Sequence, residues 1–329
     1  MLRNKKFKRL QLCKLMAGFI DPFTDTGFKI VFGRENVSND ILVFLLNSLF
    51  CDQEGFDKIV SVRYPNSERN HSWIDGKTII YDVICETERG HRFIVEMQKN
   101  PQENFMSRAV YYISRSIAEQ GYKGKQKVAG STEDESYWNY SLLPVVGVFF
   151  SNFYIKGLEK KPVTHAMLTD TETGKPISLS SRYAFIQLPA FNIDKEEDCH
   201  SDLDKLIFSL KNMKTMQTMP FTSHNDIFQR LANVGSVANL SPEERIQYEY
   251  DLKKARDYSA EMSYARKTGL EEGLEEGRAK GRAEGRAEGR AEGFQDAVLK
   301  LLQSGCLTPE IANSLGISES DLKKIASGK

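Results

Sequence analysis

Three features of the sequence predict an α/β fold, with a mixed sheet flanked by helices and a helical C-terminal region. Strand-like runs alternate with segments of helical periodicity over roughly the first 195 residues. Beyond Asp194 the pattern is helical only. Glycine then recurs at every fourth position from Gly269 to Gly293.

A chain of 329 residues with 40% hydrophobic content can hold one large or two modest domains. Its 45 basic residues are matched by 45 acidic ones, so any attraction to a polyanion has to be local. The N-terminus has such a local excess: Arg3, Lys5, Lys6, Lys8, Arg9 and Lys14 all precede the first acid, Asp21. Residues 1–16 read as a solvated basic arm, with phosphate contact as the sharper alternative. Cys13, Cys51, Cys85, Cys199 and Cys306 are odd in number and never spaced CxxC. That argues against a disulfide framework or a zinc cage and suits a reducing cytoplasm. The longest apolar run, Leu142–Phe150, is broken by Pro144 and too short to span a bilayer, and Lys14 interrupts the apolar N-terminus. A soluble cytoplasmic protein with no membrane partner is expected.

Taken in order, Phe28, Val31 and Phe32 sit at helical spacing, with Gly33 as the stop. Ser38 is placed to cap a second helix whose apolar stripe is Ile41, Leu42, Leu45, Leu46 and Leu49. Residues 59–64 suit a short strand, Asn66–Asn70 a polar loop, and Trp73–Lys77 a turn into a hairpin. After the hairpin, Phe105–Gln120 reads as a helix with Val110, Ile113 and Ile117 apolar and Gly121 at its end. Lys123–Trp138 reads as a loop. Leu142–Phe150 suits a strand buried on both faces. Val163–Leu168 and Tyr183–Leu188 are further strands, joined by a turn near Thr171–Gly174. Asp202–Leu210 and Ile227–Asn233 are amphipathic helices. Ser241-Pro-Glu-Glu244 is a capping box that opens a long helix through at least Lys267.

The glycine repeat supports two readings. On a helix the glycines form one stripe, with arginines and glutamates in parallel stripes beside it. Like charges then meet at i+4, and glycine costs roughly 1 kcal/mol per position, so a lone helix is weak. A second copy laid on the stripe would offset both, which predicts a homo-oligomer; a flexible linker is the other reading. Residues 294–329 regain order as a small helix-turn-helix-like module, with turns at Gly305 and Gly316 and a last helix carrying Leu322 and Ile325. The expected divisions are therefore 1–16, 17–195, 196–268, 269–293 and 294–329.

The hairpin Ile79–Gln98 carries the chemistry. If Glu88-Arg89-Gly90 is a three-residue loop, Gly90 takes the left-handed position and Thr87 faces His91. Counting back places Asp82 opposite Glu96. Glu96, Gln98, Asp82 and Glu86 then share one face with Ile84 and Ile94, while Val83, Cys85, Phe93, Val95 and Met97 face the other way. A two-residue loop would place Asp82 opposite Met97 and destroy the arrangement. Asp82, Glu96 and the Met97 backbone carbonyl form an oxygen set suited to Mg2+, or to another divalent cation such as Mn2+ or Ca2+. Such an ion could act on a phosphodiester. Gln98 can orient water or phosphate by hydrogen bonds, and Arg108 and Tyr112 are candidate phosphate contacts.

The chain resembles the Rpn-type recombination-promoting nucleases, also described as PD-(D/E)XK nuclease family transposases. The resemblance is carried by Asp25–Gly33, Tyr81–Cys85, Phe93–Gln98, Arg108 with Tyr111-Tyr112, Leu143–Val146, the Tyr183–Phe191 region and the Gly-x-x-x repeats. It implies a restriction-endonuclease-like fold and metal-dependent cleavage of DNA, with Asp82 and Glu96 as the motif acids. Gln98 stands where the wider pattern has lysine. Either Gln98 suffices with the metal, or Arg108 or Lys99 compensates, or activity is weak; Lys99 faces the wrong side. Asp25, ahead of Glu35, is the candidate additional acid. The alternative to an endonuclease is a nuclease-fold protein that serves only as an oligomeric assembly module.

Overall fold

The computed structural model describes residues 18–53, 55–65, 81–129, 142–318 and 320–321. The basic arm, the expected loop and turn within 66–77, residues 130–138, and Leu322 and Ile325 of the expected last helix lie outside the described residues.

Two compact units are present, residues 1–255 and 256–329. The first is built on a six-stranded mixed sheet of order β1-β2-β3-β4-β6-β5. The strands are β1 (Val62–Arg63), β2 (Val83–Thr87), β3 (Arg92–Gln98), β4 (Val145–Ser151), β5 (Val163–Thr169) and β6 (Pro176–Gln187). β1, β2 and β3 pair antiparallel, β3, β4 and β6 run parallel, and β5 returns antiparallel along β6. β4 is buried along its whole length, as expected for a strand covered on both faces.

Helices α1 (Asp25–Phe32), α2 (Asn39–Phe50), α4 (Asp202–Asn212) and α5 (Asp226–Gly235) are joined by the opening turns of α6 (Pro242–Gln303). They pack one face of the sheet. Their Phe28, Phe32, Leu45, Leu206, Leu231 and Tyr248 share a core cluster with Val83, Cys85, Phe93, Val95, Val148 and Phe150. The change to helix near residue 195 thus marks a change of element type within one core. The opposite face is covered by α3 (Phe105–Ala129). There Ile113 packs with Ile84, Ile94 and Val145, and Phe105 and Ala109 pack with Phe149 and Phe185. Gly147 permits this approach, because a Cβ there would lie 2.9 Å from Ile113 Cδ1.

Three expectations are corrected. α3 passes through buried Gly121 to Ala129, so Lys123–Ala129 is helix, not loop; one glycine costs about 1 kcal/mol, which a long packed helix absorbs. Within that helix the inward stripe is Phe105, Ala109 and Ile113 at successive steps of four, and Val110, one position off it, is exposed. The Ser38 hydroxyl does not cap α2; it donates to the Ile30 carbonyl at 2.8 Å. β2 starts at Val83, so Asp82 lies immediately before the strand.

Other local signals hold. The stop of α1 at Gly33 is one, and its start is capped by Thr24, not named from the sequence, whose Oγ1 accepts from Gly27 N–H at 3.0 Å. Ser241 and Glu244 form the reciprocal capping box at the start of α6. In the second unit, residues 269–293 are helical within α6 and exposed. α7 (Pro309–Ser314) is capped by Thr308, and Gly305 and Gly316 take positive φ at 68° and 71°. Among the described residues no helix is long and apolar enough to cross a membrane.

Candidate active site

The hairpin register follows from its loop. Gly90 has φ of 81°, Thr87 N–H donates to the His91 carbonyl at 2.9 Å, and Gly90 N–H donates back to the Thr87 carbonyl. Val83 pairs with Val95, Ile84 with Ile94, Cys85 with Phe93 and Glu86 with Arg92. One step further, Asp82 comes opposite Glu96. The two faces separate as the alternation requires, with Ile84 and Ile94 under α3 and Val83, Cys85, Phe93 and Val95 in the main core.

Where β2 stops, the Asp82 side chain takes over its hydrogen bonding. In an antiparallel ladder, alternate pairs exchange both bonds, and the Thr87–His91 pair sets the sequence in which Met97 N–H points toward β2. That N–H donates to Asp82 Oδ2 at 2.9 Å, and Asp82 N–H donates to Glu96 Oε1 at 3.1 Å. Each carboxylate is therefore held through one oxygen by a backbone N–H, which leaves Asp82 Oδ1 and Glu96 Oε2, the latter facing Arg108. The Met97 carbonyl leaves the strand on the same edge as its N–H. Along the strand, the pair lies near the end of the sheet where the parallel strands β3, β4 and β6 stop, at Gln98, Ser151 and Gln187. Loops at the carboxyl ends of parallel strands are the usual ligand-binding end of open α/β sheets.

Helix α3 supplies the cation. Arg108 Nε donates to Tyr112 Oη at 2.9 Å, and Nη1 donates to Gln98 Oε1 at 3.2 Å and to Gln102 Oε1 at 3.0 Å. Nη2 lies 3.8 Å from Glu96 Oε2. Gln98 is held from its other end too, its Nε2 donating to the Asn100 carbonyl at 3.1 Å. Asp82, Glu96, Gln98, Arg108 and Tyr112 are thus brought together. Tyr81 packs edge-on against Tyr112 and closes the inner side.

Glu96 is only 6% exposed. Burial, then the neighbouring Asp82 carboxylate, push Glu96 up to about 8, against the opposing pull of Arg108 and Lys29. Asp82 is raised as well, chiefly by burial and then by Asp25, while the Met97 N–H, Lys29 and Arg108 act the other way. The Tyr112 phenol is raised by burial and by Glu96.

Other candidates are placed elsewhere. Lys99 pairs with Asp21 at 3.6 Å, in agreement with its facing the far side of the strand. Glu86 shares the acidic face but is taken up by Arg92 and Arg63, both at 2.8 Å. Burial alone would raise Glu86, yet the Arg92 and Arg63 guanidiniums hold it below its ordinary value. Asp25 acts electrostatically on Asp82 but does not converge with the pair; among the described residues no group of three His, Cys, Asp or Glu forms a ligand set. Glu35 acts on Tyr64 instead. Lys29 is the residue that sequence reasoning missed. Its signal was the Asp25–Lys29 spacing of four on a helix that ends at Gly33.

The donor set fits a divalent cation. A positive charge relieves two buried carboxylates, of which Glu96 is raised by burial and by Asp82, and Asp82 by burial and by Asp25; Asp82 Oδ1 and Glu96 Oε2 are the oxygens left to give. With two acids and one carbonyl in reach, the remaining positions would be filled by water, which suits Mg2+.

The family model described as PD-(D/E)XK nuclease family transposase matches residues 22–265, a span that contains the whole sheet, the acid pair and all of α3. No curated protein and no solved structure matches the chain. A mixed sheet with helices on both faces agrees with the restriction-endonuclease-like fold of that family. Since the match takes in most of the chain and the fold accords with it, this protein belongs to the PD-(D/E)XK nuclease family transposases.

Proposed function

We propose that the chain is a metal-dependent DNA endonuclease that hydrolyses phosphodiester bonds. The observation that carries this reading is the buried Asp82–Glu96 pair, each acid anchored by one oxygen beside Arg108, in a member of a nuclease family. Family membership implies DNA as the substrate. Asp82 Oδ1, Glu96 Oε2 and the Met97 carbonyl would hold Mg2+, with Mn2+ or Ca2+ as substitutes. When bound, the ion polarises the phosphodiester and lowers the pKa of the attacking water.

The rest falls to the side chains. Gln98 cannot take a proton and is fixed between Arg108 and Asn100, so it orients rather than activates. Arg108 and Tyr112 contact phosphate oxygens, and a guanidinium held in one plane suits that task. In the reaction one P–O bond forms from water and one ester P–O bond breaks. The water's proton is released to solvent, and the leaving alkoxide takes one up. The name transposase is not extended to strand transfer, because a fold does not fix a reaction. The repeat within α6 is assigned to homo-oligomerisation, on the exposure of all seven glycines.

A second reading draws on Gln98, which stands where the wider pattern has lysine: a nuclease fold that acts only as an oligomeric assembly module. Nicking of supercoiled plasmid with Mg2+, and with the metal chelated, separates the two. Mg2+-dependent nicking supports the endonuclease; no nicking with any divalent cation supports the assembly module.

A further inference from the structure

The site lacks a lysine on the strand that carries its second acid, and Gln98 offers no charge. Two cations act on the acid pair, and they come from opposite layers. Arg108 reaches it from α3, on the face shared by Ile84 and Ile94. Lys29 lies on α1, whose buried residues pack the other face. Asp25, Lys29 and Gly33 lie four residues apart, so they form one line along α1. The far end of that line touches the start of β2: a Cβ on Gly33 would lie 3.4 Å from Val83 Cγ2, and Val83 directly follows Asp82. The line therefore closes on the start of β2, one residue from Asp82, with Lys29 one helical turn away. The electrostatics agree, since Lys29 lowers both Asp82 and Glu96.

The two cations differ in availability. Arg108 is committed to Gln98, Gln102, Tyr112 and Glu96. Lys29 is exposed and, among the described residues, its ammonium makes no hydrogen bond or ion pair. A compact ammonium on a flexible stem can follow a charge that develops on a substrate, which a clamped guanidinium cannot.

We propose that Lys29 is the mobile cation of this site, contacting the DNA phosphate beside the acid pair and supplying the charge that Gln98 cannot. The proposal rests on the endonuclease reading and assigns its cation to a different element, helix α1 instead of strand β3.

The test uses the full chain and four proteins: the parent, Lys29→Met, Lys29→Arg and Lys175→Met. Lys175 is an exposed control in the β5–β6 turn, at the opposite end of the sheet. Two quantities are measured, Mn2+ affinity without DNA and the single-turnover rate of plasmid cleavage. Loss of a cation beside a metal site should tighten Mn2+ binding, by about 3- to 10-fold. Loss of a charge that stabilises the transition state should slow cleavage by about 30- to 100-fold. Lys29→Met should therefore bind Mn2+ more tightly and cut more slowly, a pair of opposite changes that a fold defect does not produce. Lys29→Arg should return both quantities to within a few-fold of the parent, and Lys175→Met should match it. Unchanged Mn2+ affinity, or an unchanged rate in an active parent, overturns the proposal. If the parent cuts nothing, the endonuclease reading fails by itself. Lys29 is then judged by affinity for a short DNA duplex in Mn2+: weaker binding by Lys29→Met supports the assignment, and equal binding overturns it.

Discussion

Asp82 and Glu96 face each other across the hairpin and are tied through the backbone: Asp82 N–H donates to Glu96 Oε1 at 3.1 Å. Asp82 Oδ2 accepts in turn from Met97 N–H at 2.9 Å. Two acids that would repel in isolation are thereby pinned at one sheet edge. Their geometry depends on the hairpin loop and their ionisation on what surrounds them, and each dependence can be tested.

The loop is the first test. Gly90 has φ of 81°, and a Cβ there would lie 2.7 Å from Leu143 Cδ1, the end of a flexible side chain. Gly90→Ala should cost about 1–2 kcal/mol and leave cleavage in place. Deletion of Cys85 within β2 keeps Thr87 opposite His91 but turns Val83 away from the core and brings Asp82 opposite Val95. Thermal unfolding and plasmid nicking should show a mild loss for the substitution and collapse of both stability and cleavage for the deletion.

Ionisation is the second. A carboxyl whose pKa is raised by folding binds more protons folded than unfolded between the two values, so stability falls as pH rises across that window. For Glu96 the window extends from about 4.3 in the unfolded chain to about 8 in the fold. Asp82, also raised, contributes in the same sense, while Lys29 and Arg108 moderate both. Metal-free protein should lose on the order of 5 °C in Tm from pH 5 to pH 8. Mg2+ at pH 8 should restore much of it, and Glu96→Gln should flatten the slope. A Tm that rises over this range would contradict the burial of the pair.

Much of this site was legible because it depends on local parity. The odd loop and the alternation of Val83, Cys85, Phe93 and Val95 against Ile84 and Ile94 fixed the register without tertiary information. Side-chain choices among competing partners were less so. Ser38 stands where a cap belongs, but its hydroxyl meets the Ile30 carbonyl, an acceptor brought there by packing. Glu86 shares the acidic face, and only the neighbouring Arg92 and Arg63 show that it is spoken for. Lys29 sits on α1, in the layer on the other face of the sheet, so no reading of the hairpin alone could single it out.

Arg108 is the third test. It joins Gln98, Glu96 and Tyr112 in one network. Arg108→Met should slow single-turnover cleavage by about 10- to 100-fold. Arg108→Lys should recover little, because one ammonium cannot reproduce the planar fork that serves Gln98, Gln102 and Tyr112 together. Full recovery by lysine would reduce the role of Arg108 to charge alone.

The glycine repeat is the fourth. A Cβ at Gly277, Gly281, Gly285 or Gly289 meets nothing within 4 Å in a single copy of the helix. Alanine at these positions should therefore raise helicity in a lone chain, by about 1 kcal/mol per site. In a close-packed oligomer the same changes should weaken association. Light scattering after size exclusion should show fewer protomers per particle for the alanine variant and for a chain truncated after Thr268. An unchanged protomer count in both would refute self-association through the repeat.

The endonuclease proposal stands or falls with Asp82 and Glu96 holding a divalent cation together. Its most direct test is plasmid nicking in Mg2+ by the parent, Asp82→Ala and Glu96→Ala, each confirmed as folded by its thermal transition. The parent should nick, and each variant should fall by a factor of about 100 or more. Equal nicking by all three would contradict the account.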